Sequence, residues 1–187
     1  MHTASSARYH LFETTFGVCG IAWTDEGLAR VQLPECDDAT TAARMTSIGA
    51  VEAAPSSVPL VLDSIAALRA HFDGAPSDFT ALTLDMRGQS LESRAIYAAL
   101  RSVPWGQTTT YGELAKAIGA PGAARAVGGA MARNPWPVVV ACHRVLTAKQ
   151  TSGGFSAYGG ATTQRRLLLL EGVMLPREPD PLPDLFG

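Results

Sequence analysis

Few cysteines, no long apolar run and almost no net charge each remove a class of protein from consideration. The three cysteines of the 187-residue chain, Cys19, Cys36 and Cys142, form no CxxC pair and cannot all pair with one another. This favours a reducing cytoplasm over a disulfide-bonded secreted fold. No segment approaches the roughly 20 apolar residues that cross a bilayer, and residues 1–17 lack the apolar core of a secretory signal. We therefore expect a cytoplasmic protein with no membrane partner.

The composition is that of a folded, globular protein, and its charge is unevenly divided. Hydrophobic residues make up 47% of the chain and charged residues 17%, which excludes a disordered polyelectrolyte. The formal net charge is −2, but residues 1–84 carry 4 basic and 10 acidic side chains, whereas residues 85–175 carry 10 basic and 4 acidic. Either the second half meets a polyanion or the two halves attract each other.

Turn and helix signals divide the chain into two parts. Residues 8–33 contain two β-rich runs separated by residues 24–27, which predicts an antiparallel hairpin. Apolar residues at helical spacing predict a helix over residues 60–72. The Gly/Pro-containing segment 73–79 falls where the charge changes sign, so we place a domain boundary there. The predicted domains are residues 1–78 and residues 79–187, the second ending in a proline-rich tail.

The second half predicts a helix-turn-helix followed by a buried strand. Thr110 and Glu113 have capping-box spacing, and residues 121–122, Pro-Gly, break the chain before a second short helix. The predicted elements that follow are a buried strand over residues 136–146 (WPVVVACHRVL), a Gly-rich loop over residues 147–160 and a closing helix over residues 162–172.

The second short helix is almost free of side-chain bulk except at Arg125. Its two internal glycines, Gly128 and Gly129, cost about 1 kcal/mol each relative to alanine, so something has to compensate. Either another helix packs closely there or the backbone of a ligand approaches closely. A helix with one long side chain is poorly suited to reading base edges in the major groove.

Cys142 has three interpretations: a small buried side chain, a metal ligand or a nucleophile. Metal binding fits poorly because no second Cys or His lies at ligand spacing. A lone buried cysteine is usually a small apolar residue. However, the adjacent His143 can relay a proton, Asn134 opens the run, and Glu171 can orient the histidine, as in an activated thiolate. The other histidines, His2, His10 and His71, are interpreted as solvent-facing or structural.

The segment RAVGGAMARNPWPVVVACHRVL, followed by SGGFSAYGG and a leucine-rich helix ending in Glu-Gly, closely resembles the O6-alkylguanine-DNA alkyltransferases, also called methylated-DNA–protein-cysteine methyltransferases. The resemblance covers about residues 85–173. It implies an α/β (α+β) fold, with a small RNase H-like N-terminal domain before a winged helix-turn-helix domain. It also implies DNA repair by direct reversal: after nucleotide flipping, the alkyl group of O6-alkylguanine, and less readily of O4-alkylthymine, moves irreversibly to Cys142.

The resemblance implies roles for single residues. In catalysis, Cys142 is the alkyl acceptor, His143 accepts its proton through water, Glu171 supports that histidine, and Asn134 is a hinge that hydrogen-bonds near the thiol. On DNA, Arg125 fills the gap left by the flipped guanine, Tyr111 crowds the phosphate, and Ala124, Gly128 and Gly129 form a small-residue surface for the minor groove. The substrate pocket comprises Phe155, Ser156, Tyr158 and Met131, and Arg144 braces the strand and the loop.

The implied partner is double-stranded DNA, bound with little sequence preference by a monomer; cooperative assembly on DNA is left open. The implied reaction requires no cofactor. Some relatives hold a structural zinc, but Cys19 and Cys36 give no ligand set for it, so no metal site is predicted. Ala141 stands where the family usually has proline, which predicts slower or differently tuned transfer.

Two alternatives to the enzyme remain. The first is a non-enzymatic protein that binds alkylated DNA and flags the lesion for another pathway. The second is a winged-helix regulator whose cysteine senses alkylating agents or oxidants, and which would bind a specific duplex sequence.

Overall fold

The first half of the chain forms a four-stranded sheet with two helices, in a computed structural model that describes residues 6–175. The strand order is β3-β2-β1-β4, and only β1 and β4 run parallel. The elements are β1 (Arg8–Thr14), β2 (Gly17–Thr24), β3 (Gly27–Gln32), α1 (Asp38–Thr46), β4 (Val51–Glu52) and α2 (Pro59–Phe72). The expected α/β class is confirmed.

Two features of this half differ from the prediction. The hairpin turn at residues 24–27 is confirmed, but a second turn at residues 15–16 splits the first β-rich run into two strands. No periodicity predicts α1, which begins where the side chain of Asp37 accepts a hydrogen bond from the backbone N–H of Thr40 at 2.7 Å. The helix α2 is confirmed and begins one residue earlier than predicted.

The second half contains the predicted helix-turn-helix. Its capping box is formed: the backbone N–H of Glu113 donates to Oγ1 of Thr110 at 3.2 Å, and the backbone N–H of Thr110 donates to Oε2 of Glu113 at 2.8 Å. The elements are α3 (Leu91–Arg101), β5 (Thr109–Thr110), α4 (Tyr111–Ala117), α5 (Ala124–Ala132), a 3₁₀ turn (Cys142–Arg144), β6 (Val145–Leu146) and α6 (Gly160–Leu170).

The strand predicted over residues 136–146 is wrong. Only its last two residues form a strand, β6, which pairs in parallel with β5. Residues 136–141 form a compact turn instead, in which the N–H of Val140 donates to the carbonyl of Trp136 at 2.7 Å. Pro135 and Pro137 supply no N–H to a strand ladder, so the β-branched run folds back on itself. Val138, buried with φ at 73°, takes a backbone conformation that costs about 1–3 kcal/mol.

The strand β3 connects the two halves. The indole N–H of Trp136 donates to the carbonyl of Leu28 at 2.7 Å, and the N–H of Val31 donates to the carbonyl of Pro135 at 2.9 Å. On the other side, the N–H of Leu28 donates to the carbonyl of Thr83 at 2.9 Å. The buried core contains side chains from both halves, and the boundary at residue 78 stays a prediction.

The proline-rich tail, residues 176–187, lies outside the described residues, as does His2. No helix within residues 6–175 has the length and apolar character needed to cross a membrane.

Gly27 is required where β3 meets Thr83. A Cβ at Gly27, whose φ is 143°, would lie 2.7 Å from the carbonyl oxygen of Thr83. We expect Gly27→Ala to lower the free energy of unfolding by about 3 kcal/mol or more, because steric overlap adds to backbone strain. Gly49→Ala is the matched control: its φ is 75° but no atom lies within 4 Å, so about 1–2 kcal/mol is expected. Urea denaturation measures both; equal losses would contradict the close approach.

Candidate active site

A single buried carboxylate, that of Glu171, holds the centre of the site together. It follows the last residue of α6 and is 5% exposed. Its Oε1 lies 2.7 Å from Nε2 of His143, and Arg144 donates from Nε to Oε2 and from Nη2 to Oε1, both at 2.9 Å. The backbone N–H of Gly106 donates to Oε2 at 3.1 Å. The carboxylate therefore joins α6, the 3₁₀ turn and the loop after α3.

The hydrogen bond to Glu171 fixes the tautomer of His143. An ionised carboxylate only accepts, so the proton of the neutral imidazole resides on Nε2 and Nδ1 keeps a lone pair. Nδ1 is buried and has no hydrogen-bond partner within residues 6–175. The imidazole is thus oriented to accept a proton at Nδ1.

Burial and hydrogen bonding set the charge states of this group. Burial alone would raise the pKa of Glu171, but the bonds from His143 and Arg144 lower it to about 2, so it is ionised. Burial lowers the pKa of His143, against the opposing effect of Glu171, so the imidazole is neutral. Burial raises the pKa of the Cys142 thiol to about 11, although Asn134 and two backbone N–H groups act to lower it. At rest the thiol keeps its proton beside a neutral base.

Asn134 spans the turn before Cys142. Its amide donates to the carbonyl of Val140 at 2.8 Å, and its side-chain oxygen accepts from the N–H of Trp136 at 2.9 Å. These contacts hold both ends of the turn, and Asn134 also acts to lower the pKa of the Cys142 thiol.

Cys142 opens onto a cavity of about 360 Å³. Phe155 and Ser156, expected as pocket residues, lie in its wall together with Asn134. Tyr158 and Met131, also expected there, do not line this cavity: Tyr158 is 55% exposed, and Met131, on α5, is buried in the core, so their roles in the pocket stay predictions.

Tyr111 lies between two glycines. A Cβ at Gly153 would lie within 2.3–2.7 Å of the phenol of Tyr111, and a Cβ at Gly128 would lie 3.9 Å from its ring. Gly153 is therefore needed for the ring to pack on the loop, a contact that no sequence pattern predicts. Burial, and then the nearby Cys142 thiol, raise the pKa of Tyr111, so the phenol stays protonated.

The exposed side of α5 carries Ala124 and Arg125. Its glycines are not both required by packing: Gly128 would make ordinary contact with Tyr111, and Gly129 would meet the mobile end of Arg133 at 3.3 Å. Close helix packing alone thus leaves the bare surface of α5 unexplained, and the close approach of a ligand backbone stays open.

Comparison with known proteins places this geometry in a family. Residues 92–173 match the model of the 6-O-methylguanine DNA methyltransferase, DNA binding domain. The methylated-DNA–protein-cysteine methyltransferase of Methanothermobacter thermautotrophicus is 34% identical over 156 residues, which is 83% of this chain and 80% of that protein. The chain belongs to the methylated-DNA–protein-cysteine methyltransferase family.

Two mycobacterial comparisons extend this result. The methylated-DNA–protein-cysteine methyltransferase of Mycobacterium tuberculosis is 46% identical over 102 residues, which spans 54% of this chain and 59% of that protein. The crystal structure of Mycobacterium tuberculosis OGT in complex with DNA matches with a TM-score of 0.68 at 30% identity, over 88% of this chain and 93% of that chain.

Ala141, where the methyltransferase family usually has proline, already has the backbone conformation of that residue. Its φ is −72°, within the range to which a proline ring restricts the chain. It also lines a second cavity of about 390 Å³, next to Val138 and Trp105 on another side of the turn. Ala141 therefore lies at a φ that a proline at this position would also take.

His71 and Gln164 are the site residues that sequence reasoning missed. Gln164 is buried on α6, one heptad before Glu171, and donates to the carbonyls of His143 and Val145, both at 3.1 Å. Two polar residues seven apart on an otherwise apolar helix face were the available signal. His71 on α2 is fully buried, with Nε2 3.8 Å from Oε1 of Glu171, so it is structural and not solvent-facing.

His71, His143 and Glu171 also form the group with metal-ligand chemistry in the described chain, their donor atoms lying within 4.8 Å of one another. Arg144 already places a positive charge on the Glu171 carboxylate, at 2.9 Å. A divalent cation would have to displace or oppose that guanidinium, so this donor set does not fit a metal.

Replacement of His71 by Phe tests its state. Burial lowers the pKa of His71 to about 3 from 6.5, and neither ring nitrogen has a hydrogen-bond partner within residues 6–175. Below pH 6.5, His71 is protonated in the unfolded chain but stays neutral in the folded chain. The free energy of unfolding therefore decreases as the pH falls from about 6.5 to about 3. When the pH is lowered from 7.5 to 4.5, the free energy of unfolding should decrease in both proteins. We expect the decrease to be about 2–3 kcal/mol smaller in His71→Phe than in the wild type. Equal losses in urea titrations would contradict a neutral, buried His71.

Proposed function

We propose that the protein repairs alkylated duplex DNA by transferring the alkyl group of O6-alkylguanine, and less readily of O4-alkylthymine, to Cys142. The observation that carries the proposal is the buried Glu171–His143 pair, whose Oε1 and Nε2 atoms are 2.7 Å apart. This hydrogen bond leaves Nδ1 of His143 available to accept a proton. The adjacent residue, Cys142, has a thiol that opens onto a cavity. The names of the relatives, methylated-DNA–protein-cysteine methyltransferases, support the same reaction.

The charge states support a definite sequence of steps. The thiol, protonated at rest, gives its proton to His143 through a water molecule, and Glu171 stabilises the imidazolium that forms. The sulfur then attacks the O6 alkyl carbon: the S–C bond forms, the C–O bond breaks, and its electron pair stays on the guanine, which is reprotonated. A thioether is a poor leaving group, so each molecule acts once.

Double-stranded DNA is the proposed partner. The atom to be attacked lies inside the duplex, so the nucleotide has to be flipped out. The bare surface of α5 suits the minor groove, where little sequence is read, and the exposed Arg125 suits the space left by the base. Tyr111, at the start of α4, suits contact with the adjacent phosphate. The protein is proposed to act as a monomer in the cytoplasm, where the thiol stays reduced.

Intact mass spectrometry tests the reaction. The protein is incubated with a duplex that contains one O6-methylguanine, and we expect a mass increase of one methyl group that saturates at one equivalent. Cys142→Ala should show no increase. Tight binding of the damaged duplex without any mass increase in the wild type would instead favour the lesion-flagging alternative and would implicate Ala141.

Arg125→Ala separates flipping from chemistry. Without the side chain that fills the stack, we expect the rate of transfer from duplex DNA to fall by roughly 10- to 100-fold, because flipping costs a few kcal/mol. Transfer from the free base O6-methylguanine should be unaffected, since no stack has to be opened. A matched loss with both substrates, measured by quenched-flow transfer of a labelled methyl group, would refute the role of Arg125 in flipping.

A further inference from the structure

The cavity that contains Cys142 is walled partly by the N-terminal half. Six residues of that half lie in its wall, Val31, Leu33 and four with polar or charged side chains, and none of the four belongs to the helix-turn-helix. The four are Arg30 and Gln32 on β3, Glu35 just after it and Arg44 on α1; Arg133, which follows α5, lies in the same wall.

Arg30, Gln32, Glu35 and Arg44 form a connected network of side chains with excess positive charge. Arg30 donates from Nε and Nη2 to the neutral Oε1 of Gln32, at 3.3 and 3.2 Å, and no carboxylate lies within 4.0 Å of it in residues 6–175. Arg44 pairs with Glu35 at 3.0 Å, and Nε2 of Gln32 donates to the same carboxylate oxygen at 3.0 Å. The wall thus holds three guanidinium groups, counting Arg133, against one carboxylate.

The charge on Arg30 is partly desolvated, whereas Arg44 and Arg133 are exposed. Burial lowers the pKa of Arg30, the proximity of Arg44 lowers it further, and Glu35 opposes both. Gln32 is buried and fixes the Arg30 guanidinium in place. A negative group inside the cavity would relieve the repulsion between these two arginines at little cost in reorganisation.

Resting on the function proposed above, we propose that this wall selects alkyl adducts that carry a negative charge, of which O6-carboxymethylguanine is the simplest. After the reaction, the transferred carbon is bonded to the sulfur of Cys142 and still carries its substituent. As the S–CH₂ bond forms and the CH₂–O6 bond breaks, the carboxylate stays on the transferred carbon and therefore remains within this cavity. A DNA phosphate is the less favoured anion, because Arg30 and Arg44 lie on β3 and α1 and not on α4 or α5.

The first experiment compares two adducts of the same shape in the same duplex, O6-carboxymethylguanine and its neutral amide, O6-carbamoylmethylguanine. The rate ratio, acid over amide, is measured for each variant, so the intrinsic reactivity of the adducts cancels. We expect Arg30→Gln and Arg44→Gln each to lower the ratio by roughly 3- to 10-fold, and Glu35→Gln to raise it. Arg8→Gln, which removes a surface ion pair with Asp25 away from the cavity, should leave the ratio unchanged.

Two results of this experiment would overturn the proposal. A ratio that changes by less than about twofold in both arginine variants means that the wall does not sense the charge of the adduct. Equal slowing with both adducts, together with weaker duplex binding, means that the arginines contact DNA phosphate.

The second experiment needs no DNA. Alkylation of Cys142 by iodoacetate and by iodoacetamide, followed by peptide mass spectrometry, gives the same acid-over-amide ratio, and we expect it to fall by a similar factor in Arg30→Gln. If the wild type processes none of the duplexes but this ratio still depends on Arg30, the proposed function fails while the charge selection stands. If transfer from O6-methylguanine proceeds but neither ratio depends on Arg30, the charge selection fails alone.

Discussion

The buried carboxylate of Glu171 is the interaction on which the site depends. Three chain segments that are distant in sequence meet at its two oxygens: the end of α6, the turn that carries His143 and Arg144, and the loop at Gly106. Arg144 extends this network to the carbonyl of Val103 at 2.6 Å. A buried carboxylate without such partners would strongly destabilise the fold. The contacts that stabilise the Glu171 carboxylate also set the tautomer of His143, because the ionised carboxylate accepts the proton on Nε2 in a hydrogen bond.

The turn before Cys142 carries the second constraint. Burial keeps the Cys142 thiol protonated. The strained backbone at Val138 is held by the hydrogen bonds of Asn134 and by the indole of Trp136, which donates to the carbonyl of Leu28 on β3. Strain of this kind persists only where the surroundings fix it, and here they do so from both halves of the chain. Ala141 in the same turn has a proline-like φ, although the residue itself imposes no such restriction.

The acidic first half thus does more than balance the charge of the second. It places His71 next to Glu171, and the carbonyl of Leu28 accepts the hydrogen bond from the indole of Trp136. It also lines the cavity at Cys142 with Arg30 and Arg44. Its net negative charge, counted along the sequence, hides a local positive wall. Charge summed over a segment describes its long-range field but not the residues that face one cavity.

The sequence alone determined the helix-turn-helix, the helices α2 and α6 and the grouping of Cys142 with His143, because capping boxes, apolar periodicity and adjacent reactive residues are local signals. It could not determine the turn at residues 136–141, since a β-branched run between two prolines has the composition of a strand. Nor could it place His71 or Arg30, which reach the site from α2 and β3 over more than 70 residues of chain. Only tertiary packing brings such side chains together, because the burial and the charge that define their roles come from neighbours distant in sequence.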